Sequence, residues 1–119
     1  MAMQVVGQYT EKFNILTGQA LACGDILQSD GLINHVRKRH PACVSHISDI
    51  PNILSSPDYI GHHPREPESV ELVKRLDCNL MVCVKLDSVN GYFFVASLFE
   101  ISDAKLQKRI DSGRLVTFR

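Results

Sequence analysis

Three strand-like runs follow one another late in the chain with very little between them: Val70 to Leu76, Leu80 to Leu86 and Tyr92 to Ile101. The last two are joined by Asp87-Ser88-Val89-Asn90-Gly91, whose Asn-Gly pair favours a tight turn. Strands this close together can only pair antiparallel, because a parallel return needs a long crossover. The sequence therefore predicts a meander, and one face of such a sheet has to be covered by something else.

The cover comes from earlier in the chain. Ser29 or Asp30 can cap a helix in which Leu32, Ile33 and Val36 share a side until Pro41 ends it. A second helix is expected from about Ala42 to Leu54, with Val44, Ile47, Ile50 and Ile53 at helical spacing and Pro51 kinking or dividing it. Gln4 to Gln8 and Phe13 to Leu16 are short apolar-rich runs that predict a small hairpin or an irregular N-terminal lobe. Beyond the strands, Ser102 or Asp103 caps a further helix with Leu106 and Ile110 inward. Gly113 stops it, and Leu115 to Phe118 can add an edge strand. With 119 residues, 45% of them hydrophobic, one domain over residues 1–119 is expected, divided into an extension or hairpin at 1–28 and a core at 29–119. The expected class is α+β: N-terminal helices packed on one face of a four-stranded antiparallel sheet, with a further helix near the C-terminus.

Composition excludes several functions. Thirteen basic and thirteen acidic side chains cancel, so a protein that coats nucleic acid through its overall field is not expected. No apolar run reaches the roughly 18 residues of a membrane span, and no signal-peptide pattern opens the chain, so a cytoplasmic protein with no membrane partner is expected. Cys23, Cys43, Cys78 and Cys83 form no Cys-x-x-Cys pair, and no carboxylate or cysteine stands at a recognised spacing from the histidines. Neither a metal nor another cofactor is expected. Phosphate-loop and dinucleotide fingerprints are absent.

Against this neutral background, Asn34 to Pro41 gathers His35, Arg37, Lys38, Arg39 and His40 within about two turns of helix. His35 and Arg39 are neighbours at i and i+4. An imidazole can move a proton and a guanidinium can hold a phosphate, which is the chemistry of cleaving RNA through its own 2′-hydroxyl. The plain structural alternative is a solvated basic face, with His40 packing at the helix end. Lys74 shares a strand face with Val70, Leu72 and Leu76, where it can snorkel or project into a cleft; Glu71 lies on the opposite face with Ser69 and Arg75. Ser97 is a lone hydroxyl in an apolar strand, without the Gly-x-Ser-x-Gly context of a hydrolase nucleophile. His62, His63 and Arg65 sit in a proline-stiffened loop, and Lys85, Lys105 and Arg114 are further cations able to meet phosphates.

Several segments together carry a resemblance. These are His35-x-x-x-Arg39-His40-Pro41, Ile53 to Gly61 with its Pro57-Asp58-Tyr59-Ile60-Gly61, Val70-Glu71-Leu72-Val73-Lys74, Gly91 to Ser97, and Ile101-Ser102-x-x-Lys105. In order and spacing, from about Leu32 to Arg114, the chain resembles the phage-associated nuclease domains grouped with barnase, EndoU, colicin tRNA nucleases and RelE, the BECR fold. The resemblance implies a metal-independent endoribonuclease, with RNA (tRNA among the candidates) as substrate; an inhibitory antidote protein is a further candidate partner, on the reading of the chain as a toxin-like domain. The resemblance also implies catalytic roles for His35, Arg39, His40, Lys74 and Ser97, the last at a hydroxyl position; the residues themselves, apart from the resemblance, make His62, His63, Arg65, Lys85, Lys105 and Arg114 the expected substrate contacts. Two other classes stay open: a catalytically inactive RNA-binding module of the same fold, and a protein-interaction module whose cations meet an acidic partner.

Overall fold

The computed structural model describes residues 2–119, in the order β1 (Met3–Tyr9), α1 (Glu11–Thr17), β2 (Gly24–Ser29), α2 (Leu32–Arg39), a 3-10 segment (Pro41–Asp49), α3 (Ile50–Ser55), β3 (Tyr59–Gly61), β4 (Ser69–Arg75), β5 (Asn79–Asp87), β6 (Tyr92–Ile101), α4 (Asp103–Asp111) and β7 (Leu115–Thr117). The α+β class holds, and β4, β5 and β6 form the expected antiparallel meander. The sheet is larger than the four-stranded antiparallel one expected. It has seven strands in the order β1-β2-β6-β5-β4-β3-β7, and it is mixed, because β2 runs parallel to β6 through Ile26 opposite Phe93 and Leu27 opposite Phe94.

The difference comes from the N-terminal third. Phe13 to Leu16 belongs to a helix rather than a hairpin strand: Thr10 precedes it in extended backbone, and Gly18 ends it at φ 75°, a left-handed conformation glycine adopts without strain. β1 instead pairs with Gly24–Ser29, and both strands join the main sheet. Tyr9 anchors this part of the chain. Its ring stacks on Phe93 with centroids 4.4 Å apart, and its hydroxyl donates to Asn14 Oδ1 at 2.6 Å. Pro51 divides the expected second helix by standing in the first turn of α3, where a missing N–H costs nothing. The stretch before it is 3-10.

One sheet face is covered by the earlier helical segments. Phe13, Leu32, Val36, Cys43, Ile50, Ile53 and Leu54 meet Ile26, Val70, Leu72, Leu80, Val82 and Leu98 in the main core. Ile33, expected inward with Leu32 and Val36, is 38% exposed. α4 covers only one end of the opposite face, where Leu106 packs with Val73, Met81, Ile101 and Leu115. Ser102 caps α4 as expected, its hydroxyl accepting from the Lys105 N–H at 3.1 Å. The rest of that face is open. No helix among the described residues is long and apolar enough to cross a membrane.

The Pro57-Asp58-Tyr59-Ile60-Gly61 element is a bracket between strands. The Asp58 carboxylate accepts the Arg75 N–H at 2.7 Å, and its backbone bonds to Val73 and Phe118. Tyr59, Ile60 and Gly61 pair with β4 on one side and β7 on the other. A Cβ at Gly61 would lie 1.8 Å from the carbonyl oxygen of Arg114, so only glycine lets the chain entering β7 come this close. Gly61→Ala is expected to destabilise the fold by about 3 kcal/mol in urea unfolding, the upper end of overpacking costs, since the obstacle is backbone. An unchanged midpoint would show that β7 docks by another route.

Candidate active site

The open face owes its chemistry to strand register. Glu71 stands opposite Cys83, and Cys83 opposite Ser97, so one row across β4, β5 and β6 carries a carboxylate, a thiol and a hydroxyl. Ser97 reaches this row because β6 bulges: Val95 pairs with Val84 and Ser97 with Cys83, leaving Ala96 as an extra residue. Ahead of the bulge Phe93 and Val95 point into the main core; beyond it Leu98 does, and Ser97 turns to the open face. Strict alternation would have buried Ser97 with Phe93 and Val95.

Above the row is a cleft of about 390 Å3 lined by His35, His63, Glu66, Ser69, Glu71, Lys85, Ser97, Phe99, Arg109 and Arg114, among others. Its floor is fixed by an ion pair. Arg114 donates from Nε to Glu71 Oε1 at 2.9 Å and from Nη2 to Oε2 at 2.7 Å, and Glu71 is buried. Bonding to Glu71, the largest influence, raises the Arg114 guanidinium above its ordinary value, so it stays a cation throughout. Its remaining N–H groups are left for an anion. Arg109 has no carboxylate partner among the described residues, and its Nη1 lies 3.5 Å from Met81 Sδ. Lys85 approaches Glu66 at 3.5 Å near the surface.

Two histidines join from opposite directions. His35 stands on α2 one residue before the buried Val36, about 100° round the helix from it, and lines the cleft. His63 Nδ1 accepts the Arg65 N–H at 3.0 Å, so in the neutral ring the proton is on Nε2, ready to donate. His62 faces elsewhere. Its Nδ1 donates to the His63 carbonyl at 3.0 Å, and its ring lines a second, larger groove of about 680 Å3 together with Lys105, Lys108, Arg109, Ser112 and Arg114.

Of the residues expected to be catalytic, His35 and Ser97 meet in the cleft, and of the expected substrate contacts His63, Lys85 and Arg114 join them. His62 and Lys105 line the groove. Arg39, His40, Lys74 and Arg65 line neither. Lys74 is on the helix-covered side of β4, where its ammonium donates to the Ser56 carbonyl at 2.7 Å beyond the end of α3. Arg39 is exposed; His40 packs its ring 5.3 Å from Phe99, a residue of the cleft wall. Glu71 and Arg109 are cleft residues outside the expected set. Glu71 faces away from Lys74, and that is the side where the cleft lies. Arg109 had one available signal, its position three residues after the buried Leu106, which turns it toward the sheet.

Burial, assisted by the Glu71 charge, pushes the Cys83 thiol up to about 12 from its ordinary 9.0. Cys83 is thus a neutral spacer beneath the polar groups rather than a nucleophile. The unfolded chain ionises this thiol first, so its contribution is complete below about pH 9 and is lost as pH rises toward 12. Unfolding free energy is expected to fall across that range, and less steeply in Cys83→Ala; parallel slopes would contradict the buried setting.

The family model described as phage-Barnase-EndoU-ColicinE5/D-RelE like nuclease 3 matches residues 3–108. The match takes in β1, α1 and β2, so these belong to the same domain pattern as the meander. No curated protein and no solved structure matches the chain. On the extent of the family match, the chain belongs to this phage-associated BECR nuclease family.

Proposed function

We propose that the protein is an endoribonuclease that cleaves the RNA backbone by attack of a 2′-hydroxyl on the neighbouring phosphate. The observation that carries this reading is the convergence of His35, Glu71, Ser97, Arg109 and Arg114 on one cleft. Glu71, held in position by the Arg114 guanidinium, supplies the carboxylate that takes the 2′-hydroxyl proton. The 2′-oxygen then bonds to phosphorus, the bond from phosphorus to the 5′-oxygen breaks, and protonated His35 supplies the proton that the departing 5′-oxygen needs. Arg109 and the unused donors of Arg114 face the charge developing on the phosphate oxygens, with Ser97 and His63 Nε2 as neutral donors. The products are a 2′,3′-cyclic phosphate and a 5′-hydroxyl. Arg39 and Lys74 have no part in this scheme, and His40 supports the wall through Phe99.

The larger groove extends the site. It shares Arg109 and Arg114 with the cleft and is rimmed by Lys105, Lys108 and His62, with no carboxylate in its lining. A flanking stretch of single-stranded RNA is the polyanion this surface suits. The support is local charge, since the chain as a whole is neutral.

His35→Ala and Glu71→Gln are each expected to lower kcat at least ~100-fold on a short RNA with KM little changed, in buffer containing EDTA. Lys74→Ala is expected to leave kcat unchanged. Full activity in both of the first two variants would end the reading. The paired change Lys105→Glu with Lys108→Glu should raise KM on a long RNA and reduce the slope of log affinity against log salt by about 1.4, two phosphates' worth for a single strand, while cleavage of a dinucleotide is spared. An unaltered slope would remove the groove from the RNA path.

A further inference from the structure

We propose that His46, Asp77 and Cys78 form a binding site for a thiophilic transition-metal dication of the zinc class, remote from the cleft. His46 comes from the 3-10 segment, whereas Asp77 and Cys78 come from the turn between β4 and β5. One ligand atom from each, a ring nitrogen, a carboxylate oxygen and a sulfur, lies within 4.8 Å of the other two. Ligands about 2.0 to 2.3 Å from a tetrahedral zinc stand roughly 3.5 Å from one another, so small side-chain movements close the set.

The surroundings favour a cation held by these atoms. His46 Nδ1 lies 2.9 Å from Asp49 Oδ2. A carboxylate there accepts the Nδ1 proton and leaves the Nε2 lone pair to coordinate, the relation by which an outer carboxylate orients a metal-bound imidazole. Around the sulfur the neighbouring charge is negative, from the Glu100 and Asp77 carboxylates. A dication supplies the missing positive charge and takes the sulfur as thiolate. Thiolate, imidazole and carboxylate together select zinc over magnesium or calcium, which prefer all-oxygen sites. With one thiolate and one carboxylate bound, the site is neutral, and a water completes four-coordination.

The position implies a structural clamp. The metal would tie the 3-10 segment, which packs through Cys43 into the main core, to the hairpin joining two central strands. None of the three ligands lines the cleft or the groove. Metal binding and RNA cleavage can therefore be tested apart.

The test uses the full chain, reduced and stripped with a chelator. Cobalt(II) should give sulfur-to-cobalt charge-transfer absorption and tetrahedral ligand-field bands, and zinc should bind at one equivalent in calorimetry and raise Tm by several degrees. Cys78→Ser should abolish the charge-transfer band, and Cys78→Ser and His46→Ala should each weaken zinc binding more than tenfold with unchanged circular dichroism. Cys23→Ser, which removes an exposed thiol elsewhere, should bind as the parent does. Asp49→Asn should weaken binding by about tenfold, as the loss of an outer partner does. The proposal is overturned if the parent protein shows no charge-transfer band, or if Cys78→Ser keeps it, or if Cys23→Ser loses it. Cleavage measured in EDTA reports on the nuclease reading alone, whichever way the metal result falls.

Discussion

The Glu71–Arg114 pair is the interaction on which the rest of the site depends. Glu71 is buried in the middle of a sheet face, and a carboxylate there needs a partner. Arg114 comes from the far end of the chain, 43 residues on, and reaches it only because β7 docks on β3. That docking passes within 1.8 Å of where a side chain at Gly61 would begin, so a glycine in β3, an arginine before β7 and a glutamate in β4 form one assembly. Removing one member of such a buried pair leaves an uncompensated charge, at a cost of about 3 to 5 kcal/mol. The pair thus ties the C-terminal edge to β4 and is the source of the charge pattern in the cleft.

The division of the two sheet faces explains why a cleft exists at all. Most helical segments lie on one side, so Val70, Leu72, Val82 and Leu98 are spent on the main core. α4 covers only the end of the other side around Val73 and Met81, leaving the Glu71, Cys83 and Ser97 row uncovered. α2 contributes from the rim, with Val36 inward and His35 to the cleft. In a chain of zero formal net charge, local concentration of guanidinium and imidazole groups is what could attract an anion to this place.

Local pattern made the meander, the Asn-Gly turn, the Ser102 cap and the C-terminal edge strand readable, since each rests on neighbouring residues. The mixed seven-stranded sheet was not readable, because the β2–β6 pairing joins segments more than 60 residues apart through two register pairs. Phe13 to Leu16 is too short to distinguish helix from strand by periodicity, and Gly18 alone marks the helix end. Period-two alternation correctly put Lys74 and Glu71 on opposite faces. It does not determine which face stays open, and a lysine on an apolar face is the more conspicuous of the two in the sequence. For Ser97 alternation misleads, because one extra residue at Ala96 reverses the phase of the strand. His35 needed only a helix and its buried neighbour.

The proposed transfer to a 2′-oxygen is tested most sharply with a DNA oligonucleotide containing a single ribonucleotide. One cut is expected, on the 3′ side of that ribose, leaving a 2′,3′-cyclic phosphate and a 5′-hydroxyl, in the presence of EDTA. Cleavage elsewhere in the strand, or a 3′-hydroxyl with a 5′-phosphate, would contradict it.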